Sequence, residues 1–176
     1  ENYRASYAAR DDLGGGVVRT LTHPLDYLRF LLGEVVSLQA LSGHISPLEL
    51  SGVEDVSEIG LKFASGAIGG VHVNYFQRPA VHRLEIVGTA GTLRWDNADG
   101  TLVHFQMPDA FGGIYPQPAP AIETRYPLPE GVERNQLFVT QTQHFLKVAA
   151  GESAPICTLE DGVRALELAL AARNPR

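Results

Sequence analysis

The sequence predicts an α+β domain: a mostly antiparallel, open-faced sheet with helices packed on one face. Three observations point to it. An apolar set recurs at three-to-four residue spacing near the N-terminus, residues 35–126 alternate between short apolar runs and turn residues, and two more helical stretches follow residue 135. The 176 residues, 44% hydrophobic and 19% charged, amount to one ordinary globular core, so 1–176 is read as a single domain.

Gly14-Gly15-Gly16 opens onto Val17, Val18, Leu21, Leu25, Leu28, Phe30, Leu31 and Leu32, the stripe of an amphipathic helix that Gly33 stops. Pro24 either starts the regular turns, with Thr22 or His23 as cap, or kinks a longer helix. Strands are expected at Val35–Ile45, Asp55–Phe63 and Ala67–Phe76, the last with Val71, Val73 and Tyr75 on one face and His72 and Asn74 on the other. His82–Val87 and Thr92–Asp96 flank a glycine-bearing hairpin loop. Leu102–Met107 follows Asp99-Gly100, Pro108–Pro120 reads as a loop, and Ile122–Tyr126 reads as a last strand. A helix from Asn135 to Ala149 ends at Gly151. Thr158 then caps another whose buried stripe is expected at Val163, Leu166, Leu168 and Leu170. The helix-free sheet face, carrying Tyr75, Trp95 or Phe105, is expected to line a cleft or to pair with another subunit.

With 14 Lys plus Arg against 20 Asp plus Glu, the net charge is −6. No basic cluster interrupts that balance, which argues against nucleic-acid and anionic-membrane partners, since both need a concentrated positive field. The one cysteine, Cys157, leaves no intrachain disulfide and is read as an inert buried thiol. No His-x-His or Cys/His pair at ligand spacing appears, so no metal site is expected. The longest apolar run falls well short of the ~20 residues that span a bilayer, and a cytoplasmic location is expected. Neither G-x-G-x-x-G after a strand nor a P-loop is present, so the glycine triplet is a weak candidate for phosphate binding.

Among titratable groups, His23 carries the strongest chemical signal. It stands near a helix start with Asp26 and Tyr27 three and four residues on, on one helical face, and an imidazole is suited to giving and taking protons near neutrality. The competing reading is a packed histidine bonded to a backbone carbonyl. His72 and Asn74 share a strand face. Arg78, with His82 and Arg83, forms a small cationic group suited either to a substrate anion or to solvent.

Three stretches taken together resemble the C-terminal domain of the Gfo/Idh/MocA family of nicotinamide-dependent oxidoreductases. They are Gly14-Gly15-Gly16 through His23-Pro24-Leu25-Asp26-Tyr27 to Gly33-Glu34, Glu85-Ile86-Val87-Gly88-Thr89-Ala90-Gly91-Thr92-Leu93, and Phe145 through Gly151 to Leu159-Glu160-Asp161-Gly162-Val163. The resemblance implies a two-domain enzyme. A Rossmann domain, absent from this chain, would bind NAD or NADP, so no cofactor is expected on this chain alone. This domain would bind a sugar, inositol or related polyol, supply the catalytic His23, and form a homo-oligomer through the open sheet face. Arg19, Thr20, Asp26, Tyr27, His72, Asn74 and Arg78 are the candidate substrate-binding residues. Many relatives carry an aspartate three or four residues before the histidine, where this chain has Thr20 and Arg19. A threonine only hydrogen-bonds, and an arginine disfavours a charged imidazole. That departure motivates the alternative: a binding or regulatory module that keeps the fold without the chemistry.

Overall fold

A computed structural model of the chain describes residues 2–106 and 122–173. The expected loop Pro108–Pro120 and Met107 lie outside the described residues. The chain divides into two compact units, Glu1–Phe76 with Ala154–Arg176, and Gln77–Ser153.

The first unit begins with three short 3-10 turns over Tyr3–Leu13 and continues into α1 (Val17–Thr20) and α2 (His23–Leu32). The apolar stripe that reads as one helix is therefore two, with Pro24 in the first turn of α2, where its missing amide costs nothing. Leu25 and Leu28 are the buried side of α2, and Gly33, at φ 92°, ends it by returning its amide to the carbonyl of Arg29.

Three antiparallel strands follow in the order β1 (Val35–Gly43), β2 (Val56–Phe63) and β3 (Ile68–Asn74). The two-residue periodicity decides which face is covered. Ala40, Ser57, Ile59, Leu61, Phe63, Val71 and Val73 are buried, on the side taken by α1 and by α4 (Leu159–Arg173). Glu58, Lys62 and His72 alternate with them on the outer side. The Ser57 and Ser42 hydroxyls bond at 2.8 Å, and Ser42 Oγ donates to the carbonyl of Ala172 at 3.1 Å, tying the sheet to the end of α4.

The N-terminus of α4 is a reciprocal cap. Thr158 Oγ1 accepts the Asp161 amide at 3.2 Å, while the Asp161 carboxylate accepts the Thr158 amide at 2.9 Å and its hydroxyl at 2.7 Å. The expected leucine stripe is not the buried one. Ala165, Ala169 and Ala172 are buried, and Val163, Leu166 and Leu170 are about half exposed. Alanines spaced four and three residues apart let α4 approach β1, α1 and α2 closely, which branched side chains would prevent.

The second unit holds a separate antiparallel sheet, β4 (Arg83–Gly88), β5 (Gly91–Asp96), β6 (Leu102–Gln106) and β7 (Ile122–Tyr126), and the helix α3 (Arg134–Ala149). The class is α+β with antiparallel strands, as expected, apportioned between two sheets. Of the aromatics expected on the helix-free face, Tyr75, Trp95 or Phe105, each is placed differently. Phe105 lies on the face of Arg94, whose guanidinium sits 5.2 Å from its ring, and Trp95 lies on the opposite face against His82. In the first unit, Tyr75 turns to the helix side of β3 and meets α1. Cys157, expected to be buried, is exposed.

Candidate functional site

The glycine triplet folds as it does because of what crowds it. Gly15 donates to the carbonyl of Arg10 at 2.8 Å and Gly16 to that of Ala8 at 3.0 Å. Gly16, at φ +112°, brings α1 against Glu54, whose main-chain carbonyl takes the Val17 amide at 3.1 Å and whose carboxylate takes the Val18 amide at 3.2 Å. The amides that a dinucleotide phosphate would need at this helix start are thus already bonded, and a buried carboxylate sits in their place. The triplet does not fit a nucleotide.

A charged network holds the same segment. Asp11 Oδ1 pairs with Arg19 at 2.7 Å and with Arg173 at 2.6 Å, and Arg173 Nε lies 3.4 Å from the Glu54 carboxylate. The Arg19 guanidinium, foremost among the causes, holds the Asp11 carboxyl below the usual carboxylate range. Arg19 Nε is buried without a hydrogen-bond partner among the described residues. The Arg19 charge is therefore compensated by Asp11.

Thr20, the last residue of α1, donates from its hydroxyl to the Gly16 carbonyl and is in hydroxyl–hydroxyl contact with Tyr75. Three residues on, His23 opens α2 with its ring exposed, and Asp26 and Tyr27 are half-buried on the same helical face. Burial pushes the Tyr27 hydroxyl up from its usual range. The competing picture of a packed histidine does not hold for His23. The structure thus brings Arg19, Thr20, His23, Asp26 and Tyr27 onto one short stretch, α1 and the first turns of α2.

His72 and Asn74 are elsewhere. They lie on the outer face of β3, where His72 Nδ1 meets the Glu58 carboxylate and Asn74 Nδ2 is 2.7 Å from His72 Nε2. Arg78 belongs to the second unit, after the first sheet, and its Nη1 donates to the carbonyl of Gln77 at 2.7 Å. In the cationic group proposed around it, Arg83 is paired with Asp96 and His82 packs edge-on against Trp95, ring centroids 5.0 Å apart.

At the far end of α2, a cleft of about 460 Å³ is lined by Arg29, Glu34, Val35, Arg164, Glu167 and Leu168. None of the sequence-predicted site residues is among these six. The cleft is charge-balanced: Arg29, nine-tenths buried, pairs with Glu34 at 2.8 Å and Asp161 at 2.9 Å, and Arg164 pairs with Glu167 at 2.8 Å. The Thr158 amide first, then Arg29, hold the Asp161 carboxyl down to about 2.

Asp161 supplies a pH prediction. A depressed folded-state value means that its stabilisation is fully present above the unfolded carboxylate pKa of about 4 and is lost as pH falls toward 2. Asp161→Asn should therefore flatten the acid limb of stability between about pH 4 and pH 2 in urea titrations, without altering the slope above about pH 5. An unchanged acid limb would remove Asp161 from the cap and from the Arg29 pair.

Two buried acids that hold this region have no local signature in the sequence. Glu54 and Asp55, adjoining acids at the start of β2, are 8% and 0% exposed. Asp55 accepts the Ile45 and Ser46 amides at 3.0 Å each and the Ser46 hydroxyl. Burial would raise its carboxyl, but these donors prevail and the net direction is downward. The only hint in the sequence was an acidic pair at a strand start flanked by Val53 and Val56.

No helix among the described residues is long and apolar enough to cross a membrane, and no group of three or more metal-ligating side chains occurs among them. The profile of the GFO/IDH/MocA C-terminal domain matches residues 2–94. The 1,5-anhydro-D-fructose reductase of Ensifer adhaerens is 31% identical over 163 residues, covering 92% of this chain and 45% of that protein. Among solved structures, levoglucosan dehydrogenase in complex with NADH superposes with a TM-score of 0.76 at 20% identity, over 98% of this chain and 52% of that one. The UDP-N-acetylglucosamine 3-dehydrogenase of Acidithiobacillus ferrooxidans superposes at 0.72 with 21% identity, over 89% and 47%. The chain spans about half the length of these relatives. At these identities the structures establish a shared fold, and the profile, covering more than half of the chain, establishes its kin: the chain belongs to the Gfo/Idh/MocA family.

Proposed function

We propose that this chain is the substrate-binding and oligomerisation domain of a longer NAD(P)-dependent oxidoreductase acting on a hydroxyl or carbonyl of a sugar, inositol or related polyol. The observation that carries the reading is an exposed imidazole, His23, at the first residue of α2 in a member of this family. When a hydroxyl carbon is oxidised to a carbonyl, its oxygen gives up a proton. His23 is placed to take that proton, and to return it in the reverse direction. Arg19, Thr20, Asp26 and Tyr27 on the same stretch are the substrate contacts that this reading favours. For His72, Asn74 and Arg78 the same role needs a second surface.

The nicotinamide belongs, in this reading, to polypeptide outside the chain, since the glycine triplet does not fit it. Self-association is assigned to the outer face of β1–β3, where Leu41 and Ile68 are 81% and 83% exposed. A cytoplasmic location fits the same reading.

The test is turnover by the longer polypeptide. A panel of sugars, uronates and inositols that includes 1,5-anhydro-D-fructose and levoglucosan, followed by nicotinamide absorbance, should give turnover with at least one member. Silence across the panel would reject the enzyme and favour the binding module.

A further inference from the structure

We propose that Tyr75 is a positioning residue for His23, acting through its hydroxyl contact with Thr20. The inference deepens the proposed function and rests on it for its catalytic part. It starts from what α2 lacks. Thr22, at the N-cap, makes no side-chain cap hydrogen bond. The first turn of α2 is closed by the Leu25 and Asp26 amides on the Thr22 carbonyl, at 2.9 and 3.2 Å. His23 has an exposed ring, so its anchor point is set by the backbone that carries it rather than by side-chain packing.

That backbone is tethered one step upstream. Thr20 lies two residues before Thr22, and its hydroxyl meets that of Tyr75. Tyr75 is itself fixed: its amide donates to the carbonyl of Asp55 at 3.0 Å, and Asp55 is fully buried with its carboxylate bonded to Ile45 and Ser46. A rigid line thus runs from the buried acid at the start of β2, through the residue after β3, to the junction of α1 and α2.

Counting protons shows how to isolate the tether. Thr20 Oγ1 reaches the Gly16 carbonyl, Tyr75 Oη reaches the Ala8 carbonyl at 3.3 Å, and the two hydroxyls touch each other. Two hydroxyl hydrogens serve three contacts. With Thr20 donating to Gly16, Tyr75 donates across to Thr20 Oγ1 or to Ala8. Burial raises the Tyr75 hydroxyl, the largest of the influences on it, so it keeps its proton through the neutral range. Tyr75→Phe therefore cuts the tie to β3 and leaves the Thr20–Gly16 bond of α1 intact.

The experiment uses the longer polypeptide with 1,5-anhydro-D-fructose as probe, together with amide hydrogen exchange. Tyr75→Phe should lower kcat roughly tenfold to a hundredfold, the penalty of a misplaced catalytic group, with KM changed by less than about twofold. It should also speed exchange at Leu25 and Asp26 while Ile59 and Leu61 keep their protection. Thr20→Ser, which retains the hydroxyl, should leave exchange at Leu25 and Asp26 close to wild type. Faster exchange with an unchanged kcat would overturn the positioning role, and unchanged exchange would overturn the tether. If His23→Ala leaves turnover intact, the proposed function is what fails, and the exchange data still decide whether Tyr75 holds α2.

Discussion

Gly15→Ala is expected to destabilise the chain by roughly 3 kcal/mol, the upper end of the range for overpacked core sites where backbone must move. A Cβ at position 15 would lie 2.2 Å from the Tyr7 carbonyl oxygen and 2.7 Å from those of Ala8 and Arg10. All three are backbone atoms, so no rotamer change relieves the collision. Relief requires the 3-10 segment to lift away, and with it the bonds from Gly15 to Arg10 and from Gly16 to Ala8. Gly14 is the natural control, because it takes φ +79° with nothing within 4 Å of its would-be Cβ. Gly14→Ala should cost only the left-handed penalty, about 1–2 kcal/mol. Urea midpoints for the two variants check the order. A Gly15 variant no less stable than the Gly14 variant would mean that the N-terminal segment does not pack against the triplet.

His23→Ala in the longer polypeptide is expected to lower kcat about 10²–10⁴-fold, the usual worth of a positioned general acid–base group. KM should change little if the ring acts on the proton in the transition state rather than on substrate affinity. The fold should survive the change, since the ring is exposed and makes no hydrogen bond among the described residues. A drop in kcat/KM carried wholly by KM would reassign His23 to substrate binding.

What the sequence made legible follows from how local each cause is. The faces of β3 were readable because Val71 and Val73 obey a two-residue period, and Thr158 was readable because its partner, Asp161, is three residues away. His23 stood out because a proline behind it and a glycine ten residues on mark the ends of α2. Pro24 marked the start of α2 behind Thr22 as one of two readings, but the stripe of Val17, Val18, Leu21, Leu25 and Leu28 could not choose between that start and a kink in one longer helix. The reason for the glycines was hidden as well, because the atoms that crowd Gly15 and Gly16 belong to Tyr7, Ala8, Arg10 and Glu54, the last 38 residues beyond Gly16. The Thr20–Tyr75 contact spans 55 residues. In α4 the larger apolar side chains drew the expected stripe toward leucines, whereas close approach to β1 selects Ala165, Ala169 and Ala172.

If the proton of the reacting hydroxyl passes through His23, a small base supplied in solution should stand in for the missing ring. Imidazole added to the His23→Ala variant should raise its turnover at least about tenfold while leaving wild type unchanged, because the free base occupies the space of the missing ring. A variant that turns over as fast as wild type without imidazole, or one that imidazole leaves unchanged, would mean that the proton does not pass through His23.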